Sequence, residues 1–471
     1  MKTPRFKGAH VRRAGLMAGV LVAATAIAAC NTDQILNVTD PDIINPTDVT
    51  TAAAADALRL GALYRFQVAT TGTTGTNSGD TEFITSGALA DEWRSSDTFL
   101  QRNQIDRRAI TTDNAEVDGP YRLVHRVRLA ATQAAEQLAK FNAPSWQVGQ
   151  MYVLKAFAEN QLAEDYCGAI PFSTVVDGKE VFGSSLSTKD AFTLALAHAD
   201  SAINFANGTS ANDVAIRNAA SVLKGRILVN LEKFPEAAAA VAGVPTSSAW
   251  VNQHSDNTVY NAAWSFNNSV GRYFVGNGEG TNGLNFYGAN DPRLPVCALI
   301  GTTKTGCGTD TPVAKPFDPS TPPGPPALAI QQKWPTRTSS VNLMTGIEAR
   351  LIEAEAAYKA GDYPTMIAKL NQARTEGGIA GLAADLTDPG TDAGRVDLIF
   401  RERALWMYGT GHRLGDLRRL VRTYQRPAES VYPTGAWWKG GNYGTDVSLP
   451  IPQSEETNPN FQRSACNTKT A

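Results

Sequence analysis

The chain has 471 residues, 42% of them hydrophobic and 19% charged, with a formal net charge of −2. That is ample for a large buried core, in several domains or in one extended repeat body. The first 29 residues hold five basic side chains and no acid, leaving 38 basic against 45 acidic, or −7, in the remainder; nothing in that balance favours nucleic acid, whose phosphates call for an excess of Lys and Arg.

The N-terminus has the order of an export signal. Lys2, Arg5, Lys7, Arg12 and Arg13 precede an apolar run, Ala14 to Ala29, that is too short and too one-sidedly charged for an ordinary membrane span. The step Ile27-Ala28-Ala29-Cys30 resembles a bacterial lipobox, in which Cys30 becomes the lipidated first residue of the mature protein. The competing reading is a plain secretory peptide cut after Ala29. Two or three acyl chains on Cys30 would anchor the protein stably. No later run is long and apolar enough to cross a bilayer.

Residues 30–50, with Pro41 and Pro46, read as an extended tether. Helical periodicity starts near Thr51 and defines the N-terminal part of a helical scaffold, 51–244. Within it lie a flexible loop over 70–80, an amphipathic segment TEFITSGALADEW and a long helix over 121–141. Two segments share a helix–turn–helix layout: 218–244, where Pro235 opens the second helix, and 346–374, where Gly361-Asp362-Tyr363 breaks the first and Pro364 restarts it. They resemble tetratricopeptide repeats, so the expected fold is mainly α, a helical-hairpin scaffold. The two copies are not tandem, which argues against a regular solenoid and leaves unrelated hairpins as the alternative.

Between them, residues 245–345 form a loop-rich region dense in Gly, Asn and aromatics, expected to fold onto the helical body and to hold the ligand. Residues 346–471 complete the chain. In an oxidising compartment Cys297 and Cys307, bracketing a short glycine-containing loop, suit a disulfide, which leaves Cys167 and Cys466 as the other available pair. A metal site is disfavoured, because His125, His198, His254 and His412 show no zinc spacing.

The search for catalytic chemistry is negative. GEGTNG at 278–283 satisfies G-x-G-x-x-G but opens no helix to hold a pyrophosphate. Phosphate-loop, H-E-x-x-H and G-x-S-x-G motifs are missing from the sequence. Carboxylates such as Asp91 and Glu92 are available, but sequence cannot pair them across a sugar. Neither a catalytic residue nor a cofactor is assigned.

The most distinctive stretch is RVDLIFRERALWMYGTGHRLGDLRRLVR, 395–422. Gly409 and Gly411 divide two helices, and Glu402, Arg403, Arg413, Asp416, Arg418 and Arg419 are expected to form a structural charge network across the break. With LPIPQSEETNPNF at 449–461 and the helix of 152–172 running into a G-x-x-P step, this resembles the SusD/RagB family signature. The sequence departs from that signature at Ala404-Leu405, in place of Glu-Leu, and at Tyr408-Gly409-Thr410, in place of Phe-Glu-Gly.

The resemblance implies a surface-exposed outer-membrane lipoprotein on a tetratricopeptide-like scaffold. It would capture oligosaccharide, or peptide, without catalysis and pass it to a SusC-like TonB-dependent β-barrel transporter. Aromatic rings stack on the apolar faces of sugars. The candidate ligand contacts are therefore Trp93, Trp264, Tyr273, Tyr287 and Trp334, with Trp437, Trp438 and Tyr443 from GAWWKGGNYG. Two adjacent tryptophans point different ways in an extended chain, so at least one is expected to face a ligand or partner. The competing functions are a non-catalytic lipoprotein scaffold for protein assembly and, remotely, a surface glycosidase.

Overall fold

A computed structural model describes residues 49–75, 79–176, 179–320 and 328–471. The signal segment 1–29, Cys30 and the tether as far as residue 48 lie outside the described residues.

The protein is mainly α. Its helices are α1 (Ala52–Thr70), α2 (Glu82–Leu89), α3 (Leu100–Asp106), α4 (Ala115–Lys140), α5 (Ser145–Asp165), α6 (Thr188–Phe205) and α7 (Ala211–Asn230). They continue with α8 (Phe234–Val241), α9 (Gly346–Lys359), α10 (Tyr363–Glu376), α11 (Asp392–Trp406) and α12 (Arg413–Arg422). From α4 to α10 each helix packs on the next in chain order, and α1 lies along α4. The result is a tetratricopeptide-like stack. It is more regular than the separated hairpins suggest, because α8 packs directly on α9 across the whole 245–345 insertion.

Small residues make that stack close. Ala191, Ala195, Ala199 and Ala202 line the buried face of α6. At Gly225 of α7 an added Cβ would stand 2.5 Å from Val241 of α8 and 3.2 Å from Ile352 of α9, so a side chain there would push three helices apart.

Local signals set the ends. Ser210 and Asp213 form a reciprocal capping box on α7, and Thr345 caps α9. Helix α4 begins at Ala115, earlier than its periodicity predicts, and runs through Pro120. Proline cannot donate to the Glu116 carbonyl, which instead accepts the Thr85 hydroxyl at 3.3 Å. The stretch read as amphipathic becomes α2, buried on every face, because α3, α4 and α12 surround it.

The insertion leaves and returns through a narrow stem. Trp250–Asn252 pairs antiparallel with Val341–Leu343, and the Gly346 N–H donates to the Ser248 carbonyl at 2.7 Å. Beyond the stem stands an antiparallel sheet of five strands: β1 (Trp93–Ser95), β2 (Tyr273–Val275), β3 (Val296–Ile300), β4 (Thr303–Thr305) and β5 (Leu328–Gln331), in the order β4-β3-β5-β2-β1. Phe274, Cys297, Leu299, Val313 and Ile330 form its core.

Cys297 and Cys307 are disulfide-bonded across the β3–β4 hairpin, and Cys167 is bonded to Cys466. The second bridge fixes the C-terminal segment beside the end of α5, where the Leu449 N–H also donates to the Asp165 carbonyl at 2.8 Å.

Candidate functional site

The aromatics singled out by sequence divide into two groups. Trp93 is 1% exposed and Tyr273 0%, with the Tyr273 hydroxyl donating to Asp80 at 2.5 Å. Trp264 donates its indole N–H to the Asp310 carbonyl, and Trp334 packs where a Cβ on Gly409 would be 2.9 Å away. All four are buried and packed inside the fold. Much of the polar content of their loops is satisfied internally, since Asn267 and Asn268 bond the Tyr273 and Gln331 carbonyls and the Gln331 amides, while Trp93 Nε1 and Ser265 Oγ stay buried without a partner. That satisfaction is what lets such a segment be buried.

The second group converges. Residues 434–444 fold back sharply, with the Trp437 N–H on the Gly441 carbonyl and left-handed backbone at Gly440 (φ 104°) and Gly441 (φ 77°). Both adjacent indoles turn to one atom. Trp437 Nε1 and Trp438 Nε1 donate to Asp106 Oδ2 at 3.1 and 3.3 Å, and the Ser95 N–H joins them at 3.0 Å. Trp437 is buried under this arrangement; Trp438 stays half-exposed.

A second carboxylate braces the first. Glu279 accepts Arg94 Nε at 2.7 Å, the Asn277 N–H at 3.0 Å and the Tyr443 hydroxyl at 3.2 Å. The Arg94 guanidinium lies 5.1 Å from the Trp438 ring centre and Arg107 5.7 Å from that of Trp437. Lys439 reaches the Asp318 carboxylate at 2.7 Å. Half-buried Tyr287 stands further along the Glu279 loop. The outcome is a platform of two half-buried rings, Trp438 held through Asp106 and Tyr443 through Glu279, with Arg94 reaching from Glu279 to the Trp438 ring.

Burial, and next the charge of Glu279, push the Asp106 carboxyl up to about 7, against the pull of the indole and Ser95 N–H groups. Protonation weakens Oδ2 as an acceptor. Tryptophan fluorescence is therefore expected to titrate with a midpoint near 7, and Asp106→Asn to abolish that step; an unchanged titration in the variant would sink the assignment.

The signature residues do not form one network. Consecutive helical residues diverge by about 100°, so Glu402 turns to Arg293 and Arg374 (both 2.6 Å), while Arg403 pairs with Asp416 across the break. Asp416 also holds Arg419, which is bidentate to Glu355 of α9. Arg418 donates to backbone carbonyls at the end of α5. Arg413 grips Asp91 at 2.7 and 2.8 Å, and Asp91 accepts the Leu284 N–H at 2.8 Å. Glu92 takes the Gly409 N–H, and its carbonyl takes that of Gly276. Asp91 and Glu92 are thus consumed in tying the signature turn to the 276–287 loop. Gly411 (φ 74°) lies against Phe83, where a Cβ would approach to 2.3 Å.

Sequence reasoning missed Arg94, Asp106, Glu279 and Lys439. Glu279 stood inside GEGTNG, a stretch weighed only as a nucleotide motif, and nothing local marks Asp106.

The profile of the SusD family matches residues 348–463. No curated protein sequence matches the chain at a significant level. Among solved structures, the fold is similar to a SusD-like carbohydrate binding protein from Bacteroides fragilis, at 14% identity and TM-score 0.61, covering 88% of this chain and 99% of that one. A SusD-like carbohydrate binding protein from Bacteroides vulgatus gives 14%, 0.61, 88% and 98%. A SusD/RagB family protein from Bacteroides thetaiotaomicron gives 13%, 0.61, 88% and 96%.

Proposed function

We propose that this chain, whose residues 348–463 match the SusD family, is a surface lipoprotein of that family, anchored through Cys30 in the outer membrane, that captures oligosaccharide on the Trp438–Tyr443 platform and hands it to a SusC-like TonB-dependent β-barrel. The observation that carries the reading is the platform itself. Trp438 is half-exposed, fixed at its N–H by Asp106 and backed by Arg94, so its geometry is set before a ligand arrives. Solved SusD-like relatives described as carbohydrate binding support the ligand class. Tyr287 and Tyr443 serve as flanking contacts.

A binding role suits the carboxylates better than a catalytic one. Asp106 and Glu279 are buried, and their oxygens accept from indole, phenol, amide and guanidinium groups that hold the rings. Glycoside hydrolysis needs carboxyl groups facing the scissile bond.

Affinity capture of the tagged, lipidated protein from detergent-solubilised outer membranes tests the partner. A stoichiometric large β-barrel is expected, and recovery of the protein alone would defeat the transporter reading. Trp438→Ala tests the platform: retention on the captured glycan in affinity electrophoresis should weaken by ~10–100-fold. Unaltered retention would place capture elsewhere.

A further inference from the structure

Two tryptophans outside the platform, Trp146 and Trp250, line one cavity of about 460 Å³. That volume lies within the range of small-ligand pockets. The cavity is built from α1, the N-terminal ends of α5 and α7 and the outgoing stem strand, and it shares no residue with the Trp438 platform. Four other cavities all carry charged side chains in their walls. The described lining of this one holds indoles, amides and aliphatic groups, with no charged side chain.

Both indoles are held before anything enters. Trp250 packs edge-to-face on Phe66, ring centres 5.8 Å apart, and its Nε1 donates to Asn252 Oδ1 at 3.0 Å. Trp146 is backed by Arg59, whose guanidinium lies 5.6 Å from the ring centre and is fixed by Asp56 at 2.7 Å. Both rings are half-buried, so each keeps surface for a ligand. Preset rings lose little freedom when a ligand stacks on them.

Two amides repeat that design, with one end anchored and the other spare. Gln150 Oε1 accepts Arg59 Nη1 at 2.8 Å, which leaves its Nε2 free to donate. Gln67 Nε2 donates to the Gln253 carbonyl and lies 3.1 Å from His254 Nδ1, which leaves Oε1 free to accept. Trp146 Nε1 and the side-chain amides of Asn212 and Gln253 have no hydrogen-bond partner among the described residues. None of these spare atoms is enclosed, since the buried, unpartnered side-chain atoms of the chain belong to other residues. The cavity thus offers donors and acceptors together beside two aromatic rings. A sugar hydroxyl both donates and accepts, and the C–H face of a pyranose stacks on indole. An ionised ligand would exchange water for walls that hold no counter-charge.

We propose that this cavity is a second ligand site and that it takes an uncharged pyranose unit. The C–H face lies against the indoles, and the hydroxyls bond Gln150 Nε2, Gln67 Oε1 and the Asn212 amide. The choice of a sugar rests on the carbohydrate reading above, whereas the preference for an uncharged ligand rests on the lining alone.

Calorimetry on the detergent-solubilised full chain carrying Trp438→Ala, which removes the platform, tests it. Cellotriose, maltotriose, mannotriose and xylotriose are titrated beside trigalacturonate and a blocked neutral tripeptide. At least one neutral trisaccharide should bind. Adding Trp146→Ala should weaken it by ~10–100-fold. Gln150→Glu keeps an acceptor for Arg59 but removes the spare donor, and should weaken it by ~10-fold. Because the platform is missing from the titrated protein, a failure of the platform reading leaves this result untouched. No binding by any of the four sugars, tighter binding of trigalacturonate or of the peptide, or full affinity in both variants with native circular dichroism would overturn the proposal.

Discussion

Replacing Asp416 by alanine is expected to cost ~3–5 kcal/mol, the range for breaking a buried ion pair by removing one partner. Asp416 is 2% exposed and bridges Arg403, at 2% exposure, and Arg419, at 1%. Its loss leaves Arg403 without a counter-charge and Arg419 with Glu355 alone. A loss of that size approaches the whole stability of many domains. Soluble yield and the urea midpoint should both fall. The pair Arg403→Met with Asp416→Leu should recover most of the loss, since apolar replacement of both partners is often neutral. If the single variant unfolds at the parent's midpoint, the bridge does not fix how α11 docks on α12.

Stability is also expected to fall as pH rises from about 5 to about 8. Burial raises Glu82 to about 7, against hydrogen bonds with Asp165 and Tyr166, and raises Glu92 to about 8, against the Gly409 N–H. Asp165, beside Glu82, is raised as well, first by burial and then by that neighbour. Below the unfolded value of 4.5 these groups are protonated in both states and nothing is at stake. Above it the unfolded chain ionises while the native one keeps its protons, so stability drains until the native groups ionise too. Each shift of this size is worth roughly 3–5 kcal/mol as an upper figure.

Glu348 and Asp416 act in the other direction. Arg226 and His412 hold Glu348 far below the carboxylate range against its burial, and Arg403 and Arg419 hold Asp416 down in the same way. Their contribution is present above the unfolded value and is lost in acid. Melting temperature at fixed ionic strength should therefore peak near pH 5 and decline toward pH 8, with a shallower decline in Glu82→Gln. A melting temperature that is flat or rising over that interval would contradict this balance.

The parts of the fold that were legible in the sequence share one property: the physics that sets them is local. Pro235 and Pro364 sit in first turns, Gly409 and Gly411 adopt φ near +70°, and Cys297 and Cys307, 10 positions apart, close a hairpin. What escaped depends on pairing across long separations. Trp93–Ser95 lies beside Tyr273–Val275, and no periodicity in either segment announces the other. The aromatics fared likewise, because a ring's chemistry is the same whether it fills a core or meets a sugar. Trp437 and Trp438 both donate to Asp106 yet differ in exposure, and nothing in their adjacent positions announces either fact.

The stem of the insertion has an evolutionary reading. The chain departs at Ser248 and is back at Gly346 within a single hydrogen bond, while α8 and α9 already meet beneath it. Closing a loop costs free energy that grows only with the logarithm of its length. Such a doorway admits cassettes of very different size. A replacement must rejoin at the doorway, offer a strand to Trp93–Ser95 and again answer Asp91, Arg94 and Glu402, which Leu284, Glu279 and Arg293 of the present cassette meet. Lineages facing new nutrients could therefore exchange the whole cassette by recombination, while the helical stack that receives it stays unaltered.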